Sequence, residues 1–144
     1  MTRAGVISTI DTTLSAVSSP SFTAVYVGEP LSIAGTPACA FWLSGVAQDF
    51  TTLGDASTIA DFTIRAYWRM QTSADVREDI ELDIWNAISG ILSGLRGDAA
   101  LGGNCTDSDP GDATTGYLEL GGVLYRQATV PFTVELYGSE VITP

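Results

Sequence analysis

Ile59-Ala60-Asp61-Phe62-Thr63-Ile64-Arg65-Ala66-Tyr67-Trp68-Arg69-Met70 alternates along its whole length. Ala60, Phe62, Ile64, Ala66, Trp68 and Met70 fall on one side of an extended chain, and Asp61, Thr63, Arg65, Tyr67 and Arg69 on the other. A period of two predicts a strand with one core face and one polar face. Directly after it, Thr72-Ser73-Ala74-Asp75 reads as a helix cap with an acid in the first turn. Val76, Ile80, Ile84, Ala87, Ile88, Ile91 and Leu95 then recur at helical spacing until Arg96-Gly97, a cation and a glycine suited to a helix end.

Working outward, Val6, Ile10, Leu14 and Val17 form the stripe of a short amphipathic helix that Ser18-Ser19-Pro20 ends. Phe22 to Val27 is rich in β-branched and aromatic residues and runs into Gly28-Glu29-Pro30, a strand followed by a turn. Ala38 to Leu43 reads as a second strand. The stretch 48–58 has no clear period and is expected to be a long connector. On the other side, 98–114 reads as a polar loop, and Thr115–Leu120, Gly121-Gly122 and Val123–Leu136 as a β-hairpin. Pro131 lies opposite the buried stripe Ala128, Val130, Phe132, Val134, Leu136 and cannot donate to a ladder, so an edge or a bulge is expected there. The sum is a single α+β domain over residues 1–144, a mainly antiparallel β-sheet packed against one long and one short helix.

The chain has 144 residues with 17 Asp+Glu, 6 basic residues that are all arginine, and no histidine, for a net charge of −11. That balance argues against a groove-reading or phosphate-tracking nucleic-acid binder. Without histidine there is no Ser-His or Cys-His nucleophile and no His-ligated zinc, and without lysine no Walker A loop and no Schiff base. Charged residues are 16% of the chain, against about 25% in an ordinary domain, and mean hydropathy is +0.23. The apolar excess points to surface covered by copies of the chain or by partners. No stretch has the 18 apolar residues of a membrane helix, and polar residues at 8, 9 and 11–13 interrupt any signal-peptide core.

Few clusters invite chemistry. Asp75, Glu78, Asp79, Glu81 and Asp83 crowd the front of the long helix, where its dipole favours acids. Asp107-Ser108-Asp109-Pro110-Gly111-Asp112 resembles a calcium loop in composition, but its glycine falls one residue early and Leu118 stands where the closing glutamate belongs, so a mobile acidic loop is expected. Cys39 reads as a small core residue; Cys105 lies in the polar loop, and a disulfide between them stays open. Asn104-Cys105-Thr106 and Arg96-Gly97-Asp98 match short recognition motifs that chance and helix capping explain. Trp42, Trp68 and Trp85 are expected in the core. Gly90 and Gly94, each following a serine, would let another backbone approach the long helix, either the sheet of the same subunit or a neighbouring subunit. No metal, cofactor or catalytic group is expected.

The order of these elements, with Val25-Tyr26-Val27-Gly28-Glu29-Pro30, Pro37-Ala38, the helix 76–96 and Leu124-Tyr125-Arg126 opening the last strand, resembles the tail terminator, or tail completion, family of long-tailed bacteriophages. The likeness spans about Val6 to Tyr137. It implies a structural virion protein of the tail–neck region, assembled in the host cytoplasm, rather than an enzyme. Such a protein forms a homo-oligomeric ring, expected to be a hexamer, that caps the tail tube and ends its polymerisation. The ring would join the major tail tube protein to the head-completion or connector protein, with DNA passing through without specific binding and no membrane involved. On that reading Asp49, Asp55, Asp107, Asp109 and Asp112 are candidates for acidic loops facing the lumen or tube, and Arg65, Arg69 and Arg126 for pairing between subunits. Two alternatives remain: another neck or minor tail protein such as a head–tail connector, or a small-ligand-binding α+β domain, which would need a deep pocket with convergent polar groups.

Overall fold

A computed structural model describes residues 3–52, 55–70 and 74–137; at 49–52, 55, 56, 74–77 and 137 it describes the backbone alone. The elements are α1 (Arg3–Ser15), β1 (Ala24–Val27), β2 (Ala38–Thr52), β3 (Asp55–Arg69), α2 (Ala74–Arg96), β4 (Asp107–Pro110), β5 (Thr114–Leu120) and β6 (Val123–Tyr137). They make an α+β domain with a mixed six-stranded sheet in the order β1-β2-β3-β6-β4, β5 also pairing with β6. Every pairing is antiparallel except β1 with β2. The proposed cap at Thr72-Ser73 lies outside the described residues.

The alternating segment is the centre strand. Phe62 pairs with Phe132, Ile64 with Val130 and Ala66 with Ala128 on one side, and Phe41 with Ile64 and Cys39 with Ala66 on the other. The apolar stripes of three strands therefore share one face. There Val6, Ile10 and Leu14 of α1 and Ile91 and Leu95 of α2 complete the main core, while Ile84 and Ala87 pack near Trp68.

Three expectations need correction. The stretch 48–58 is not a connector: β2 runs to Thr52 and β3 starts at Asp55, with Gln48 opposite Thr58 and Asp49 opposite Ser57. Register shifts between Leu43 and Gly45 and between Asp49 and Thr52 break the period of two, and this hid the strand in the sequence. Asp49 and Asp55 thus lie on strands. The region 98–114 is not one mobile loop either, because Asp107–Pro110 forms β4 against Phe132–Glu135. Asp107 and Asp109 sit on this edge strand. Finally, the polar face of β3 is not wholly polar, since Tyr67 is buried with Ala40 and Tyr125 beneath Tyr26 and Ile33. The segment between β1 and β2 carries Ile33 over that end of the sheet.

Pro131 sits on an interior strand, yet its missing donor is accommodated. On the flank of β6 away from β3, β4 pairs only as far as Phe132 and β5 starts at Thr129. The Pro131 carbonyl accepts the Gly111 N–H at 2.8 Å within that gap. A Cβ on Gly111 would come 2.8 Å from Pro131 Cγ, so the approach requires glycine.

Gly90 and Gly94 meet α1 and the turn after it, not the sheet. A Cβ on Gly90 would stand 3.1 Å from Val17 Cγ1, and one on Gly94 3.0 Å from Thr13 Cγ2. The close contact therefore lies within the subunit, and the cost of two helical glycines, about 1 kcal/mol each, is offset by helix packing. Gly94→Ala should be near neutral in urea unfolding, because gained helix propensity opposes the tight contact with Thr13. Gly90→Leu and Gly94→Leu should each lose about 1–3 kcal/mol by forcing α1 away.

Candidate functional site

The acids of α2 do not converge on a cleft. Glu78, Asp79 and Glu81 are exposed, Asp83 is half-buried, and the Asp75 side chain lies outside the described residues. Among the described residues no group of three or more His, Cys, Asp or Glu side chains is placed to hold a metal ion. Asp107 and Asp109 are exposed on β4, and Asp112 is exposed just after it. Two acids and a proline make β4 a poor template for further strand pairing. The side chains of Asp49 and Asp55 lie outside the described residues.

The three arginines proposed for pairing are scattered. Arg126 is committed within its own subunit: Nε pairs with Glu81 Oε1 at 3.2 Å, Nη1 donates to the Gly116 carbonyl at 3.0 Å, and the guanidinium lies 4.9 Å from the Tyr117 ring centre. It ties α2 to the β5–β6 hairpin within the subunit. Arg65 stands on the opposite sheet face, 5.2 Å from the Trp42 ring centre, with Nε donating to Thr129 Oγ1 at 3.3 Å. Arg69 is exposed at the far end of β3, and its backbone N–H donates to Thr36 Oγ1 at 3.4 Å.

Cys39 and Cys105 are both buried, and no disulfide joins them. Burial pushes the Cys39 thiol from its usual 9.0 up to about 12, against a weaker pull from a hydrogen bond with the Ala40 backbone. Tyr67 is also raised by burial, with Arg65 acting in the other direction.

What the molecule presents is apolar surface. Trp85, expected in the core, is 75% exposed beside exposed Leu82 on the outer side of α2. Leu31, in the segment between β1 and β2, is 90% exposed. A groove of about 360 Å³ opens where α1 leaves the sheet uncovered. Val6 and Ile7 form one wall, and Leu43, Val46, Phe62 and Leu136 much of the other. Among the described residues that line it, Arg3 is the one charged group. Thr58 lies in the same wall, its buried Oγ1 without a hydrogen-bond partner among the described residues.

Little in the chain's pattern signals these features. Val46 follows the first register shift, where alternation fails, and Leu31 stands between Pro30 and Ser32 in what reads as a turn. Trp85 sits one position from Ile84, so helical spacing could have placed it off the buried stripe. No protein-family model matches the chain, and no curated protein matches it either.

Two measurements follow from the site. Arg126→Ala should lower stability of the subunit itself by about 1 kcal/mol at any protein concentration, with most of the loss from the buried-side carbonyl bond rather than the exposed Glu81 pair. Urea unfolding against pH tests the thiol. Above about pH 9 the unfolded chain loses the Cys39 proton and the folded chain keeps it until about 12, so stability should fall with rising pH across that window. Cys39→Ala should make this alkaline limb shallower.

Proposed function

We propose that the chain is a structural subunit of the neck of a long-tailed bacteriophage, a tail terminator. In this reading six copies form a ring that caps the tail tube, ends its growth and offers its other face to the head-completion protein. The observation that carries the reading is the amount of large apolar surface left open on a sparsely charged chain: Leu31, Leu43, Val46, Leu82, Trp85 and Tyr117 are all exposed. Contiguous apolar patches on a monomer are normally small, and larger ones mark contact with other proteins. These side chains lie on several sides of the domain, as a subunit with two ring neighbours and two axial partners requires.

Charge supports the same reading. With −11 overall and six arginines, of which Arg65 and Arg126 are engaged with neighbours in their own subunit, a lumen built from this chain would repel DNA and let it slide. Light scattering of the purified protein, alone and with the tail tube protein, tests the reading. A mass near six subunits, either free or formed on the tube, is expected. A monomer indifferent to the tube protein at all concentrations would overturn it.

A further inference from the structure

The outer side of α2 carries an exposed apolar patch. Trp85 is 75% exposed, and Leu82, three residues before it and so beside it on the helix, is exposed as well. The patch continues onto the β5–β6 hairpin. Glu81 stands one helical turn before Trp85 and pairs with Arg126, whose guanidinium lies against the exposed Tyr117 ring. Glu119, two residues on from Tyr117, and its register partner Leu124 are exposed on the same face of the hairpin. The charge around these apolar side chains is negative. From Asp75 to Asp83 the sequence has five acids and one arginine, and Glu78, Asp79 and Glu81 are exposed along the turns that carry Leu82 and Trp85. Arg126 is held by Glu81 and the Gly116 carbonyl.

We propose that this face docks a basic protein segment, one that sets an apolar side chain against Trp85 and Leu82 and carries Lys or Arg toward Glu78, Asp79 and Glu119. An exposed tryptophan at the centre of a polar rim is the kind of anchor on which protein contacts concentrate, and its ring face also attracts a cation. Charge selects among the occupants. An anionic lipid surface or a nucleic acid would set like charge against this rim. A second copy would bring 17 acids and 6 arginines, of which Arg65 and Arg126 are engaged within their own subunit, so it too is repelled on balance. A cationic partner is drawn in by the net charge of −11 and held at short range by the apolar centre. The inference does not need a ring; within the neck reading above it gives this face to a partner other than a ring neighbour.

Titration calorimetry of the full chain with an amphipathic helical peptide of Lys and Leu tests it, with Glu/Leu and Lys/Ser peptides of the same pattern as comparisons. The Lys/Leu peptide should bind about tenfold or more tighter than either comparison, and more weakly as salt is raised. Trp85→Ala and the double variant Glu78→Lys/Asp79→Lys change exposed positions, so their thermal unfolding should match the native chain. Each should weaken that binding about tenfold. The double variant Asp107→Lys/Asp109→Lys changes net charge equally on the edge strand β4 and should leave binding within about twofold. Equal weakening by the two double variants, or unchanged binding by Trp85→Ala, would overturn the proposal, as would a Lys/Leu peptide that does not bind. Light scattering separates it from the ring reading: Trp85→Ala should assemble as the native chain does. Loss of assembly in that variant would make a second copy the occupant, which overturns this proposal and leaves the ring standing.

Discussion

β3 is hydrogen-bonded along both edges, to β2 between Asp55 and Tyr67 and to β6 from Ser57 to Arg69. Its alternation leaves one acceptable register. A slip of one residue would turn Phe62, Ile64, Ala66 and Trp68 to the opposite face and carry Asp61 and Arg65 beneath the helices. Burying charges without partners there would cost several kcal/mol. With β3 fixed, Phe41 and Cys39 on one neighbour and Val130 and Ala128 on the other fall into line, and the two helices have a single apolar face on which to settle. The glycines of α2 then set how closely α1 can lie beside it.

The same arrangement leaves surface uncovered. β2, β3 and β6 are each 15 residues long, roughly 50 Å of extended chain, whereas the 13 residues of α1 cover about 20 Å. The far ends of the three strands outrun the short helix, and the groove lies at that end. β1 adds a second mismatch. It pairs only with Ala38–Phe41, so from Trp42 onward no described strand pairs with the outer edge of β2. An exposed edge and an adjoining apolar groove are features that a solitary domain normally blunts with charge or proline, as this one does at β4.

The fold was legible where local pattern and tertiary environment agree. The period of two in β3, the helical stripe of α2 and the Gly121-Gly122 turn each led to the observed element, and the α+β class followed from their order. Legibility failed where the backbone ladder alone holds the structure. Gln48–Thr52 and Asp107–Pro110 carry little apolar signal, and their strands exist because a neighbouring strand offers partners for their N–H and C=O groups. The candidate site was less legible still. Arg126 reads as a scarce surface cation, and nothing in the sequence says that Glu81 and the Gly116 carbonyl lie within its reach. Leu31 and Trp85 read as ordinary apolar residues, and their meaning comes from exposure, a property of the folded chain.

Acidity and apolar surface pull in opposite directions, since a chain of net charge −11 repels its copies. The distribution of the charges removes the conflict. Among the described residues, neither the acids of α2 nor those of the β4 region, which lie at a sheet edge next to a proline, line the groove. In the ring proposed above, charge would discriminate among contacts, and burial of apolar surface would supply the attraction in those that charge permits.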